Sequence, residues 1–147
     1  MLRHLATAAV VAVLLVGAVG AGVAQASRPE RARVTARCPL GALPLRPPDL
    51  AALRRFGLIV APRGVEHLKG LSHPIDYRDA RATAKIGTFY TRYVQLHCPR
   101  GVAARVIART ADVAVAYPHV NWSASLSSSV FLVARTPSGL VAWAQMH

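Results

Sequence analysis

The last third of the chain alternates apolar and polar residues, a pattern typical of strands with one buried face. In residues 121–135 six apolar side chains share one face, from Trp122 to Ala134, whereas an asparagine and four serines lie on the other. Residues 140–146 are also apolar, and the sequence TPSG at 136–139 separates the two runs. Proline and glycine at the second and fourth positions of a tight turn favour reversal of the chain. The pattern therefore predicts a C-terminal hairpin.

Two earlier segments extend this sheet in the prediction. Residues 83–97 are rich in β-branched and aromatic residues, which favours a strand. Residues 102–117 are interpreted as a strand with a bend near Asp112, because turn signals bracket them; a helix over 101–111 is the alternative. The sequence CPRG at 98–101 would then be a hairpin loop like TPSG. The expected antiparallel meander has four strands: 83–97, 102–117, 121–135 and 139–146.

A short helix is predicted ahead of the sheet, over residues 48–57. Its apolar residues recur at helical spacing, Asp49 is placed to cap the N-terminus, and Gly57 suits the C-terminal end. Residues 58–61 are apolar and predict a short strand immediately after the helix.

Together these elements predict a single α+β domain over residues 48–147. Its expected architecture is a short N-terminal helix packed on a mostly antiparallel meander sheet of about four to five strands. This architecture resembles that of cystatin-like folds by analogy alone. Such an arrangement hosts inhibitors, binding modules and enzymes alike, so it implies no particular function.

The N-terminus has the pattern of a signal peptide. Residues 5–23 carry no charge, and the sequence AQA at 24–26 places small residues where a signal peptidase cleaves. We therefore predict a signal peptide over residues 1–26 and a secreted or extracytoplasmic protein that touches the membrane only transiently, through that peptide. The alternative is a retained membrane anchor, because an apolar run of ~20 residues is long enough to span a bilayer.

The net charge of the exported chain changes the range of expected partners. Cleavage would remove one arginine, so 17 basic residues face six acidic ones and the net charge is +11. Residues 27–47 form an Arg- and Pro-rich N-terminal arm in this interpretation. Such a charge favours an anionic envelope polymer or another protein as partner. No specific nucleic-acid partner is predicted, because the arginines are spread along the chain rather than gathered with aromatic residues.

The two cysteines, Cys38 and Cys98, are expected to form a disulfide bond, because an exported chain with an even cysteine count meets an oxidising compartment. Three reactive alternatives for Cys98 are weaker. His97 and Cys98 would point to opposite faces of a strand, which is poor geometry for a base and its nucleophile. A Cys-Pro dipeptide alone is little evidence for haem, and no paired ligand spacing typical of zinc is present.

A polar segment contains the remaining candidates for chemistry. His67, His73, Asp76 and Asp79 could supply an acid/base pair, but their spacing matches no metal-binding motif. We therefore assign no catalytic residue, metal site or cofactor.

The terminal hairpin contributes one candidate binding face, because both of its faces are apolar and a single helix covers only one. The residues assigned to that face are Phe131, Val133, Val141 and Trp143. The resulting hypothesis is a small exported cationic protein with a non-enzymatic binding or structural role at the envelope or outside the cell. The alternative is a small extracellular enzyme that uses the His and Asp groups of residues 67–79.

Overall fold

The computed structural model describes residues 34–120 and 127–147. The predicted signal peptide, residues 27–33 of the basic arm and the first part of the strand predicted at 121–135 lie outside the described residues. Within the described ranges, no helix combines the length and the apolar character that a membrane span requires.

The fold is α+β, as predicted, but it contains two helices that the pattern assigned to strands. A 3-10 turn at Pro47–Asp49 leads into the first helix, and a two-stranded ribbon follows it. The elements in chain order are α1 (Leu50–Val60), β1 (Val65–Glu66), β2 (Ile75–Asp76), β3 (Arg81–Ile86), α2 (Thr91–His97), α3 (Arg100–Arg109), β4 (Thr110–Ala116), β5 (Ser128–Thr136) and β6 (Gly139–Met146).

The main sheet is an antiparallel meander in the order β3-β4-β5-β6. Its β5–β6 hairpin closes at the predicted turn, where Thr136 pairs with Gly139. Gly139 has a φ of +120°, a conformation that side chains larger than hydrogen rarely adopt. The local turn signal was therefore sufficient to locate this hairpin.

Different helices pack on the two faces of the sheet. On one face, α1 packs over a core that includes Leu53, Val113 and Phe131. On the other face, α2 and α3 pack over a core that includes Val94 and Trp143. The domain therefore has three layers, with the sheet in the middle.

The prediction of one strand over residues 83–97 is wrong beyond Ile86. Gly87 has a φ of +85° and breaks the strand, and α2 begins four residues later. The backbone N–H of Phe89 donates to Oδ2 of Asp112 at 2.9 Å, and that of Tyr90 donates to Oγ1 of Thr88 at 3.0 Å. These two bonds fix the backbone of the residues that lead from the strand into α2.

The preferred strand over residues 102–117 is also wrong in its first half. The helix alternative describes α3, and the strand describes β4, with the change at Thr110. The sequence CPRG therefore connects two helices and is not a hairpin loop. Pro99 immediately precedes α3 with a φ of −56°, a value that proline's ring favours before a helix.

Helix α1 is longer than predicted and absorbs the strand expected at 58–61. Gly57 does not end the helix; it lies buried in the middle, facing β4. A Cβ atom at this position would overlap Cγ1 of Val113. Close packing of the helix on the sheet thus explains why residue 57 is a glycine. Asp49 forms no capping bond with α1, and its carboxylate instead accepts from the Arg46 N–H and pairs with Arg135.

The register of the hairpin overturns the predicted apolar binding face. Because Thr136 pairs with Gly139, Val133 lies opposite Ala142 and Ala134 lies opposite Val141. Leu132 pairs with Ala144, so Trp143 is an extra residue at a bulge on β6. Of the predicted residues, Phe131 and Val133 lie in the core under α1, whereas Trp143 is buried and Val141 half-buried under α2 and α3. The four residues therefore neither share a face nor form an exposed surface.

Candidate functional site

The second face of the sheet is not completely covered by α2 and α3. Where β3 and β4 extend past these helices, an open groove of about 340 Å³ remains. Thr83, Ala114 and Val130 are neighbours across the three strands and line it, because Ala114 pairs with both of the others. Phe89 and Tyr90, which lead into α2, also line the groove. Its lining is therefore mostly apolar and aromatic.

One carboxylate also lines this apolar groove. Asp112 is only 9% exposed, and Oδ2 accepts the hydrogen bond from Phe89 N–H. Its second oxygen, Oδ1, is buried and has no hydrogen-bond partner among the described residues. A buried acceptor without a donor costs free energy, and a charged one costs more than a neutral one. Asp112 is therefore the side chain of the groove that most clearly lacks a hydrogen-bond donor.

Lys85 is the cross-strand partner of Asp112, and both side chains line the groove. Residues directly opposite each other on antiparallel strands usually interact, and opposite charges there attract. Here Nζ of Lys85 lies instead 3.9 Å from the centroid of the Phe89 ring. Among the described residues, no ion pair within 4 Å joins Lys85 to Asp112, and Phe89 is 76% exposed. The groove therefore presents two opposite charges that do not neutralise each other directly.

Helices α2 and α3 carry three exposed arginines. Arg92, Arg100 and Arg105 are all exposed on these two helices, which pack on each other. The sequence from Ala80 to the C-terminus contains a single acidic residue, Asp112, and that residue is buried. No acidic side chain of this half of the chain is therefore available at the surface to neutralise the three arginines. We call Arg92, Arg100 and Arg105 the helical arginine surface.

The candidate His and Asp residues of the sequence are not assembled into one site. Asp76 forms a bidentate ion pair with Arg78. The hydrogen bonds from Arg78 hold the pKa of Asp76 well below its usual range. Asp79 pairs instead with His119, at 2.9 Å. His67 and His73 are exposed. Across the described ranges, no three His, Cys, Asp or Glu side chains are grouped closely enough to hold a metal ion.

The predicted disulfide bond between Cys38 and Cys98 is present, with a Cα–Cα distance of 5.2 Å. It fastens the segment before α1 to the end of α2. His97 points to neighbouring groups of its own helix: its ring stacks on Tyr93 at 3.9 Å between centroids, and Nδ1 lies 2.9 Å from the Tyr93 carbonyl oxygen. His97 therefore makes contacts within its own helix, and Cys98 is part of the disulfide bond and is not a free nucleophile.

Sequence reasoning missed both Asp112 and the groove around it. A signal existed, since Asp112 is the lone acid in a long basic and apolar stretch. Comparison of the chain with protein-family models, curated proteins and solved structures found no significant match.

Proposed function

We propose that this protein is exported and binds an anionic polymer of the cell envelope on its helical arginine surface, without catalysing a reaction. The observation that carries the proposal is that Arg92, Arg100 and Arg105 are exposed while the only acid in their half of the chain is buried. The disulfide bond is compatible with an oxidising, extracytoplasmic compartment. The net charge of the predicted exported chain has the same sign as this surface.

A polymer fits this surface better than a small anion does. The three arginines are carried by two helices and are exposed, so each alone would hold an anion weakly. A chain with repeated negative charges can contact several of them at once, and the contributions then add. Leu96 is 73% exposed on α2 and offers an apolar contact on the same pair of helices. Attraction of this kind is strong at low salt and is screened as ionic strength rises.

The first prediction concerns retention on immobilised polygalacturonate, a purely anionic polysaccharide. The variant Arg92→Gln/Arg100→Gln/Arg105→Gln should elute at clearly lower NaCl concentration than the wild type, because it removes the binding surface. The matched control, Arg54→Gln/Arg55→Gln/Lys69→Gln, loses the same charge from exposed positions elsewhere and should elute close to the wild type. None of the three proteins, wild type or variant, should be retained on neutral dextran.

Three outcomes would contradict the proposal. Equal losses in the two triple variants would mean that only the net charge matters. Elution of the wild type at very low salt would remove the electrostatic basis. Retention on vesicles of anionic lipid, without retention on the polysaccharide, would assign the surface to a membrane instead.

The alternative function, an enzyme built on His67, His73, Asp76 and Asp79, has less support. Both carboxylates are engaged with Arg78 or His119, and neither pairs with one of the two predicted histidines. The proposal of a binding protein is therefore preferred.

A further inference from the structure

We infer that the groove beside Asp112 binds a small zwitterion with an apolar side chain, the chemistry of a free amino acid. The groove is a different site from the helical arginine surface: it lies on the open part of the sheet and is lined by β3, β4, β5 and the entry to α2. Failure of polymer binding on the arginines would therefore leave the proposed ligand of the groove untested, and the reverse also holds.

Asp112 defines the cationic end of the ligand. Its Oδ1 is buried without a donor among the described residues, while Oδ2 already accepts from Phe89 N–H. A hydrogen bond from a charged donor to a carboxylate is about twice as strong as one between neutral groups. An ammonium group in the groove would supply the opposite charge, and it would supply the missing donor once the Asp112 side chain turns Oδ1 toward it. The ligand is thus expected to carry a protonated amine at this end.

Lys85 defines the anionic end. It is the direct cross-strand neighbour of Asp112, and such neighbours have Cβ atoms ~5 Å apart. Its ammonium group now rests on the exposed ring of Phe89, and a cation–π contact at an exposed site is weak, so little opposes its movement toward a ligand. A carboxylate held close to the amine would meet Lys85 when the amine meets Asp112. The close spacing of the two charges in an α-amino acid matches this pair.

The other residues that line the groove favour a ligand with an apolar side chain of limited size. Tyr90, Ala114 and Val130 line the groove and offer contact surface to an aliphatic or aromatic side chain. The volume of about 340 Å³ lies at the low end of the ~300–1,000 Å³ that is typical of small-molecule sites. A single amino acid fits this volume better than a long peptide does. The ligand class is therefore a zwitterionic amino acid with a hydrophobic side chain.

The second prediction uses three matched probes in isothermal titration calorimetry: leucine, N-acetyl-leucine, which lacks the ammonium charge, and leucinamide, which lacks the carboxylate. The purified disulfide-bonded protein should bind leucine at least about tenfold more tightly than either neutralised probe. Asp112→Asn should abolish the preference for leucine over N-acetyl-leucine. Lys85→Gln should abolish the preference for leucine over leucinamide.

Matched controls separate recognition from loss of structure. Asp79→Asn and Lys69→Gln remove the same charges at exposed positions away from the groove and should leave leucine binding unchanged. If Asp112→Asn does not fold, Ala114→Leu fills the groove without touching either charge and should block binding. Ala116→Leu, on the exposed end of the same strand and outside the groove, should not.

Several results would overturn the inference. N-acetyl-leucine binding as tightly as leucine would mean that Asp112 only anchors the Phe89 backbone. Leucine binding that survives Ala114→Leu would place the ligand elsewhere. The absence of binding by all three probes in the millimolar range would show that the groove has no affinity for this class of molecule.

Discussion

At the scale of single residues, Gly57 shows most directly how one side chain sets the packing of a helix on the sheet. Its Cα faces β4 so closely that an added Cβ would overlap a methyl group of Val113. Val113 is itself fully buried and β-branched, so it has little room to move aside. Glycine at this position costs helix propensity and allows the close contact in exchange.

The third prediction is that Gly57→Ala destabilises the protein by ~1–3 kcal/mol, the usual range for an overpacked core. Gly101→Ala is the matched control, because Gly101 is also helical but a Cβ atom added there would meet nothing within 4 Å. The control should be neutral or stabilising by up to ~1 kcal/mol, since alanine favours helices more than glycine does. Urea unfolding measures both changes. A stable Gly57→Ala protein would show that the helix can lift away from β4 at little cost.

The fourth prediction concerns Asp76 and the pH dependence of stability. Hydrogen bonds from Arg78 lower the pKa of Asp76 in the folded protein below its unfolded value of ~3.9. A carboxyl whose pKa is lowered by folding stabilises the fold above its unfolded pKa, and that contribution is lost as pH falls toward the folded pKa. Asp76→Asn should therefore be less stable than the wild type at neutral pH, and the difference should shrink below about pH 4.

The measurement is the free energy of unfolding in urea at neutral and acidic pH, for the wild type and the variant side by side. Asp49 also has a lowered pKa, caused first by its hydrogen bond from the Arg46 backbone, but it is present in both proteins and cancels in the difference. A difference that stays constant across the pH range would mean that Asp76 acts through its shape rather than through its charge.

At the scale of secondary-structure elements, the sequence predicted well wherever the signal was local. The β5–β6 hairpin follows from its turn, and most of α1 follows from helical spacing of apolar residues. The error in α1 has a tertiary cause, because the reason for Gly57 lies on β4 and not in the helix.

Helix α2 was missed for a similar reason. Its residues favour strands by composition, and the helix is stabilised by contacts that are distant in the sequence. The Phe89 N–H finds its acceptor in Asp112, 23 residues later, and Tyr93 lies 5.7 Å from the ring of Trp143. The candidate groove could not be predicted at all, since it depends on where α2 stops covering the sheet.

The wrong binding face at residues 131–143 has a local cause, the register of the hairpin. The prediction grouped Val141 and Trp143 with Phe131 and Val133. The turn pairs Thr136 with Gly139, which places Val141 opposite Ala134 and not on the face of Val133. The charge pattern, by contrast, was visible from the start, because the scarcity of acidic residues does not depend on the fold.

At the scale of the whole molecule, the disulfide bond joins the segment before α1 to the end of α2. Cys38 and Ala42 of that segment pack with α2 and α3 on the same face of the sheet, so the bond ties the segment to this helical layer. Arg109 reinforces this connection by donating to the carbonyl oxygen of Ala42 at 2.7 Å. The bond spans 60 residues, so it removes much conformational freedom from the unfolded chain.

The fifth prediction is that Cys38→Ser/Cys98→Ser lowers the free energy of unfolding by up to ~4 kcal/mol, the chain-entropy value for a loop of this length. Urea unfolding of the oxidised wild type and the variant gives the difference. Dithiothreitol should destabilise the wild type by a similar amount and leave the variant unchanged. A variant as stable as the oxidised wild type would show that the native packing alone holds the helical layer in place.

The position of β3 at the edge of the meander affects how copies of this protein meet. An edge strand exposes unpaired backbone groups to which a strand of another molecule can add, and this is a common start of aggregation. At the opposite edge, the Thr35 N–H donates to the carbonyl oxygen of Ala142 at 3.0 Å and occupies part of β6. On β3, Arg81 and Lys85 are exposed, and pairing of two such edges would crowd four positive charges along one short ladder. We therefore expect Lys85 to oppose the addition of a second copy at this edge as well as to face the groove, and its replacement would remove half of these charges.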